Sequence, residues 1–412
     1  MKINPIVKKL LQNRGVCTDE EIIEFLSDKP QKTYDPFLLP DMEAGVDLIL
    51  SEAKKNSRIW VYGDYDADGI TSTTLMMSIL KHLTSIDNLN YYIPSRFEEG
   101  YGLNKDAIDY IASNGCDLLI TVDCGSVSYD EVEYAKELGL KVIVTDHHNV
   151  TDVMADCILI NPKHPKSEYP FKELSGCGVA FKVAQAIQKK ANLPKQILTE
   201  VLDLVAVGTV GDIMPLIDEN RTMTKFGLKV LNLGKRPGLK KLMEGTSLNV
   251  GKVSAENISF VIVPHLNASG RIEDASQAVE LLLGQCSESR MEEIVQDVIK
   301  KNHMRRKLQS DLYSKCAEEI DRDNIPTHLR NARKIKEWME ERGTTKPPSP
   351  TGKNEEDTIT DFNQTYLEIF RQKAEKVRNK NIFKYLEEND INPEKYKKAF
   401  EKIIDSDETV KF

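Results

Sequence analysis

Between residues 58 and 160, short apolar runs alternate with amphipathic helical stretches, and few architectures accept that rhythm. RIWVYGD, LNYYIPS, CDLLITVDCG, KVIVTDHH and DCILINP read as buried strands. TSTTLMMSILKHL, LNKDAIDYIASNG and SYDEVEYAKELG lie between them and place apolar residues at helical spacing. Such alternation implies right-handed βαβ units, hence an α/β fold with a parallel sheet and helices on both faces. The core is expected over residues 58–286, after a mostly helical segment at 1–57 in which Thr18 and Glu21 form a capping box. From about residue 172 helical patterns dominate, and a connecting helix is expected over 287–325. Residues 326–412 read as a divergent linker, marked by RGTTKPPSPTGKNEEDTITD, followed by a helical tail dense in Lys and Glu.

Composition narrows the function classes. A chain of 412 residues with 40% hydrophobic content can bury a sizeable core. The formal net charge of −9 argues against sequence-blind adhesion to nucleic acid. It still permits a local basic groove, or a site where bound cations offset carboxylates. The seven cysteines are scattered and form no CxxC pair, which suits a reducing compartment. MKINPIVKKLLQNRG has no apolar stretch of signal-peptide length, and no run approaches the ~20 apolar residues of a membrane span. A soluble, cytoplasmic protein without membrane contact is expected.

Open parallel sheets bind ligands at the carboxyl ends of their strands. WVY ends in Gly63-Asp64-Tyr65-Asp66-Ala67-Asp68, LLITV in Asp123-Cys124-Gly125 and VIVT in Asp146-His147-His148. A further acidic residue, Asp212, stands in VAVGTVGDIMPL, where an apolar helix is expected to break at Gly208 and Gly211. One acidic strand end is ordinarily a helix cap or a turn. Several in one α/β unit, one followed by two histidines, would repel each other unless cations sit among them. A mixed carboxylate and imidazole set without a thiolate cluster suits Mn²⁺ or Mg²⁺. Two such ions ~3.5–4 Å apart supply the chemistry of phosphodiester hydrolysis.

GDYDADGITS, VDCG, TDHHN and GTVGDIMPL, in that order, resemble the four motifs of the DHH phosphoesterase superfamily. YDPFLLPDMEAGVDLI, YIPSRFEEGYGLN, NPKHPKSEYPFKELSGCGVAFKV and PHLNASGRIEDASQAVELL are similar to segments of its RecJ branch, exonucleases that degrade single-stranded DNA from the 5′ end. The resemblance covers roughly residues 1–320. It implies a metal-dependent nuclease of DNA repair and recombination that uses two divalent ions. Asp66 and Asp68 would each bind one ion, Asp123 would bridge them, and His147 and Asp212 would complete the second. Asp64 would add a contact or shape the loop, Asp146 would orient a histidine, and His148 would face the scissile phosphate. The place of a superfamily histidine ligand is taken by Tyr62. Arg96, Arg271 and Asn267 would form the phosphate contacts, with surface ion pairs the plainer reading of the two arginines; Asn267 and Gly270 would shape a turn. Gly176 and Gly178 open a helix, either as an ordinary turn or as a phosphate cradle.

The pattern departs from the family after residue 320, where neither strand alternation nor a glycine-rich phosphate loop is evident. A core without the associated and oligonucleotide-binding domains is expected, and a separate protein could supply that clamp. Two alternatives follow: a DHH phosphodiesterase of short oligonucleotides or cyclic dinucleotides, or a non-catalytic DHH scaffold that needs a partner.

Overall fold

A computed structural model describes residues 3–30, 32–96, 99–272 and 275–322. Its centre is a five-stranded, wholly parallel sheet. The strands are β1 (Ile59–Tyr62), β2 (Leu89–Tyr92), β3 (Leu118–Val122), β4 (Lys141–Thr145) and β5 (Ile158–Ile160), in the spatial order β2-β1-β3-β4-β5. The chain leaves β1 towards β2 and then crosses to the other side, so the switch in direction falls between β1 and β3. Crevices that hold ligands form at such switch points.

Side-chain alternation along the strands splits the core into two layers. Ile59 and Val61 of β1 face one side with Leu118, Ile120 and Val122 of β3, while Trp60, Tyr62, Leu119, Val142 and Val144 face the other. Three preceding helices, α1 (Pro5–Gln12), α2 (Asp19–Leu26) and α3 (Met42–Lys54), lead into β1, and α3 packs on β5. The connection from β1 to β2 is α4 (Ala67–Leu80), buried along its whole length. The opposite face is covered by α5 (Lys105–Ser113) and α6 (Tyr129–Glu137), each contributing one apolar stripe.

After β5 the chain is helical, through α7 (Gly176–Lys190), the short α8 (Gln196–Thr199), α9 (Leu202–Gly211), α10 (Asp218–Leu231) and α11 (Pro237–Gly245). A single turn, α12 (Ala255–Asn257), runs into a π-helix at Ile258–Ile262 and then α13 (Val263–Ile272), α14 (Ser276–Leu283) and α15 (Glu288–Arg322). The chain divides into two units, Met1–Asn302 and His303–Phe412, and the site described below lies in the first. The expected tail at 326–412 falls outside the described residues. No helix among the described residues is long and apolar enough to cross a membrane.

Two expectations about local structure are corrected. The apolar helix does not break at Gly208; α9 continues to Gly211, because Gly208 is where the helix backbone approaches Asp68 and Thr71. NASGR is not a turn but the end of α13, where Gly270 lies against the carbonyl oxygen of Tyr65.

The N-terminal helices are fastened to α10 by cations. Arg221, Lys225 and Lys229 recur every four residues and donate to the carbonyl oxygens of Phe25, Ser27 and Asp28. Those carbonyls belong to the last turn of α2 and the residues after it, where acceptors lack partners within the helix.

Candidate metal centre

The site gathers at the carboxyl ends of β1, β3 and β4. Immediately after β1 the backbone turns into α4, and Asp66 is the cap: its Oδ1 accepts from the amides of Asp68 and Gly69 at 2.9 and 3.1 Å. The plain capping role and a place in the acidic cluster therefore coexist, since Asp66 has a second oxygen. Asp68, in the first turn of α4, is buried and meets the start of α7 from the side. Its Oδ2 accepts from the Gly176 amide at 2.6 Å and its Oδ1 from the Cys177 amide at 3.0 Å. The N-terminal turn of α7 thus holds a carboxylate of the chain itself, a third outcome beside the turn and the phosphate cradle.

Asp123 follows β3 with φ +64°, a left-handed conformation that aspartate tolerates better than most residues. A Cβ on Gly176 would stand 2.3 Å from its Oδ1, so this contact requires glycine. His147 follows β4 and points its Nε2 at three carboxylates: Asp123 Oδ1 at 3.0 Å, Asp212 Oδ2 at 3.6 Å and Asp68 Oδ2 at 4.0 Å. Asp212 reaches the cluster from the C-cap of α9.

These side chains fall into groups whose ligand atoms lie within 4.8 Å of one another. One comprises Asp64, Asp66 and Asp123; another comprises Asp68, His147 and Asp212, with Asp123 touching His147. A third contains Asp123, Asp146, His147 and His148. Asp146 is already saturated with donors: its Oδ2 accepts from the Ser126 amide, and its Oδ1 from the amides of His147 and His148 and from the His148 ring. It holds the His148 ring directly and His147 only through its backbone amide.

Electrostatics set the cluster apart from an ordinary capped turn. Burial pushes the carboxyl groups of Asp64, Asp68 and Asp123 well above the usual range, and mutual repulsion adds to it. The His147 imidazole is pushed down to about 3, by burial first and then by the charge of His148, so its lone pair is available. The His148 imidazole is raised: burial opposes its charge, but the hydrogen bond and charge of Asp146 outweigh burial. Asp64 Oδ1, Asp123 Oδ1 and His147 Nε2 are buried without a hydrogen-bond partner. Buried polar atoms left so are costly unless something supplies the missing interaction, and this oxygen and imidazole set fits hard divalent cations.

The remaining expected residues lie around this core. Arg96 places its guanidinium 5.2 Å from the Tyr65 ring centroid, beside the Asp64–Asp66 loop. Asn267 uses its Oδ1 on the Ala67 amide at 2.7 Å, which pins α13 to the start of α4. The backbone of Arg271 lies in α13, and its side chain falls outside the described residues. Tyr62 offers no ligand, because strand alternation turns it to the opposite face, where its hydroxyl donates to the Gly102 carbonyl. Sequence reasoning missed Tyr101, whose hydroxyl stands 3.1 Å from His148 Nδ1. It also missed Gly208, where a Cβ would meet the Asp68 carboxylate. Neither carries a local sequence signal, since both contacts join distant segments.

The family model described as "DHH family, N-terminal domain" matches residues 58–209, a span that holds Asp64 through His148 but ends before Asp212. The single-stranded-DNA-specific exonuclease RecJ of Bacillus subtilis is 40% identical over 326 residues, covering 79% of this chain. This chain spans 40% of that relative's length. A crystal structure of exonuclease RecJ bound to manganese is 32% identical with a TM-score of 0.61, covering 67% of this chain and 69% of that one. The structure of RecJ from Thermus thermophilus in complex with Mn²⁺ is 28% identical with a TM-score of 0.64, covering 76% and 44%. The chain belongs to the RecJ family.

Proposed function

We propose that this chain hydrolyses phosphodiester bonds of single-stranded DNA as a divalent-metal-dependent exonuclease. The observation that carries the reading is Asp123: it is buried, stands at the switch point of the sheet, and is common to the Asp64–Asp66 group and the His147 group. On this reading Asp64, Asp66 and Asp123 hold one Mn²⁺ or Mg²⁺ ion, and Asp68, Asp123, His147 and Asp212 hold a second. Bound there, the ions would polarise the scissile phosphate and lower the pKa of the attacking water.

The chain's own groups do the rest. The start of α7 fixes the Asp68 carboxylate in direction, and its two amides favour the charged form against burial and the neighbouring carboxylates. Asp146 holds the His148 ring and favours its charged form, so His148 presents a positive donor to a phosphate oxygen. Arg96 is the second cation placed for phosphate contact, with Tyr65 supporting its planar face. Arg271 and Asn267 are proposed as further phosphate contacts, Asn267 through the amide nitrogen that its bond to Ala67 leaves over. The free thiols, Cys124 and Cys177 among them, suit the cytoplasmic location we propose.

The test uses purified protein, Mn²⁺ and 5′-labelled single-stranded DNA, beside Asp123→Ala and His147→Ala. Metal-dependent release of mononucleotides that both variants lose supports the reading. Activity unchanged in the variants would sink it.

A further inference from the structure

Helix α9 ends in a turn that glycine ordinarily closes. The Met214 amide donates to the Thr209 carbonyl at 3.1 Å and the Ile213 amide to the Val210 carbonyl at 3.2 Å. This pair of bonds needs a left-handed residue between them, and glycine, or less often asparagine, supplies it. Here the position is Ile213, at φ +58°. A β-branched side chain crowds the backbone in that conformation, so the turn is strained.

Strain of this kind persists when the side chain returns something, usually packing. Ile213 returns none within the folded chain: it is 86% exposed, the most of any large apolar residue described. Its position in the sequence is specific, directly after Asp212, whose carboxylate joins Asp68 and His147 in the acidic cluster. The preceding Gly211 is packed against Val263 and Ala67, which fixes the base of the turn. An apolar side chain therefore stands in solvent on the residue next to an acidic member of the cluster.

We infer that Ile213 is an apolar contact for the base of the nucleotide whose phosphate enters the carboxylate site; this rests on the nuclease reading above. Every base has an apolar face, so such a contact grips a strand without selecting its sequence. It also explains why a polar or small residue, easier on the backbone, does not stand there.

The experiment compares wild type with Ile213→Gly and Ile213→Asn, the two residues that relieve the turn, so loss of folding is not the expected outcome. Each is given a short single strand with a normal terminal nucleotide or with an abasic one, and KM is measured with Mn²⁺. Binding is measured in parallel by fluorescence anisotropy, with Ca²⁺ in place of Mn²⁺. Wild type should prefer the normal strand by about 5–10-fold in KM, the lower range for stacking contacts. In both variants that ratio should fall towards one while the melting temperature rises. A ratio unchanged from wild type overturns the contact, and so does an equal loss on both strands, which would point to displacement of Asp212. A wild-type protein that neither binds nor cleaves the normal strand overturns the nuclease reading and the contact together.

Discussion

Gly208 and Asp68 meet without room for a single added carbon: a Cβ on Gly208 would lie 2.4 Å from Asp68 Oδ1 and 2.5 Å from Thr71 Oγ1. Gly208→Ala separates two effects of opposite sign. Alanine in a helix interior favours α9 by about 1 kcal/mol, whereas the new methyl group pushes the Asp68 carboxylate away from Gly176 and Cys177. The expected result is a protein that folds normally and binds Mn²⁺ about 10–100-fold more weakly. Isothermal titration with Mn²⁺ measures this, and wild-type affinity in the variant would refute it.

Asp123→Asn tests charge without changing shape. Asparagine accepts the left-handed backbone at this position, and the substitution removes one negative charge from a group where Asp64, Asp66, Asp68 and Asp212 repel it. The metal-free variant should melt at a higher temperature than metal-free wild type. Addition of Mn²⁺ should raise the melting temperature of wild type and leave the variant almost unmoved. Thermal scans with EDTA and with Mn²⁺ decide the point.

Much of the sheet was legible because its signals are local. Ile59 to Tyr62 and Leu118 to Val122 are apolar runs followed within two residues by an aspartate, and both become strands that end at the site. Thr18 and Glu21 form the expected capping box for the same reason. What local pattern does not convey is close approach between distant segments. Gly176 and Gly208 read as turn residues, yet each is required by a carboxylate from another part of the chain. The N-terminus of α7 reads as open to a ligand until Asp68 is seen to occupy it. Tyr101 has no motif of its own; folding brings its hydroxyl to His148.

Glu52 supplies a pH-dependent part of the stability, away from the site. Its carboxylate is buried and accepts from Lys55, Ser57 and Lys141, each at 2.8 Å; these bonds, Lys141 foremost, pull its pKa down to about 2. The folded pKa lies below the unfolded value, so the stabilisation is full above about pH 4.3 and is lost as pH falls towards 2. Because water surrounds both lysines, the contribution is about 1–2 kcal/mol. Glu52→Gln should be less stable than wild type at pH 7, and the gap should close as pH falls through that window. Urea unfolding at several pH values reads it directly.

Lys182 and Glu219 form an ion pair 2.9 Å long with almost no access to water, and Glu219 also accepts from Thr33, the Tyr34 amide and Tyr169. Burial lowers the lysine pKa, and the charge of Glu219 opposes that loss. Lys182→Met keeps the side-chain volume but leaves a buried carboxylate without its cation. A loss of about 3 kcal/mol is expected. Denaturant titration at neutral pH measures it; a loss below the scatter of surface substitutions would show that the remaining donors suffice.

The donor set is spread along the chain from Asp64 to Asp212, and the turn that holds Asp68 comes from α7, more than a hundred residues after it. During synthesis, therefore, the first aspartates emerge long before the groups that orient them. A nascent segment ending before α9 lacks Asp212, so the group of Asp68, His147 and Asp212 cannot close. A cation site whose donors arrive over so long a stretch of chain is completed only when its last helix has packed.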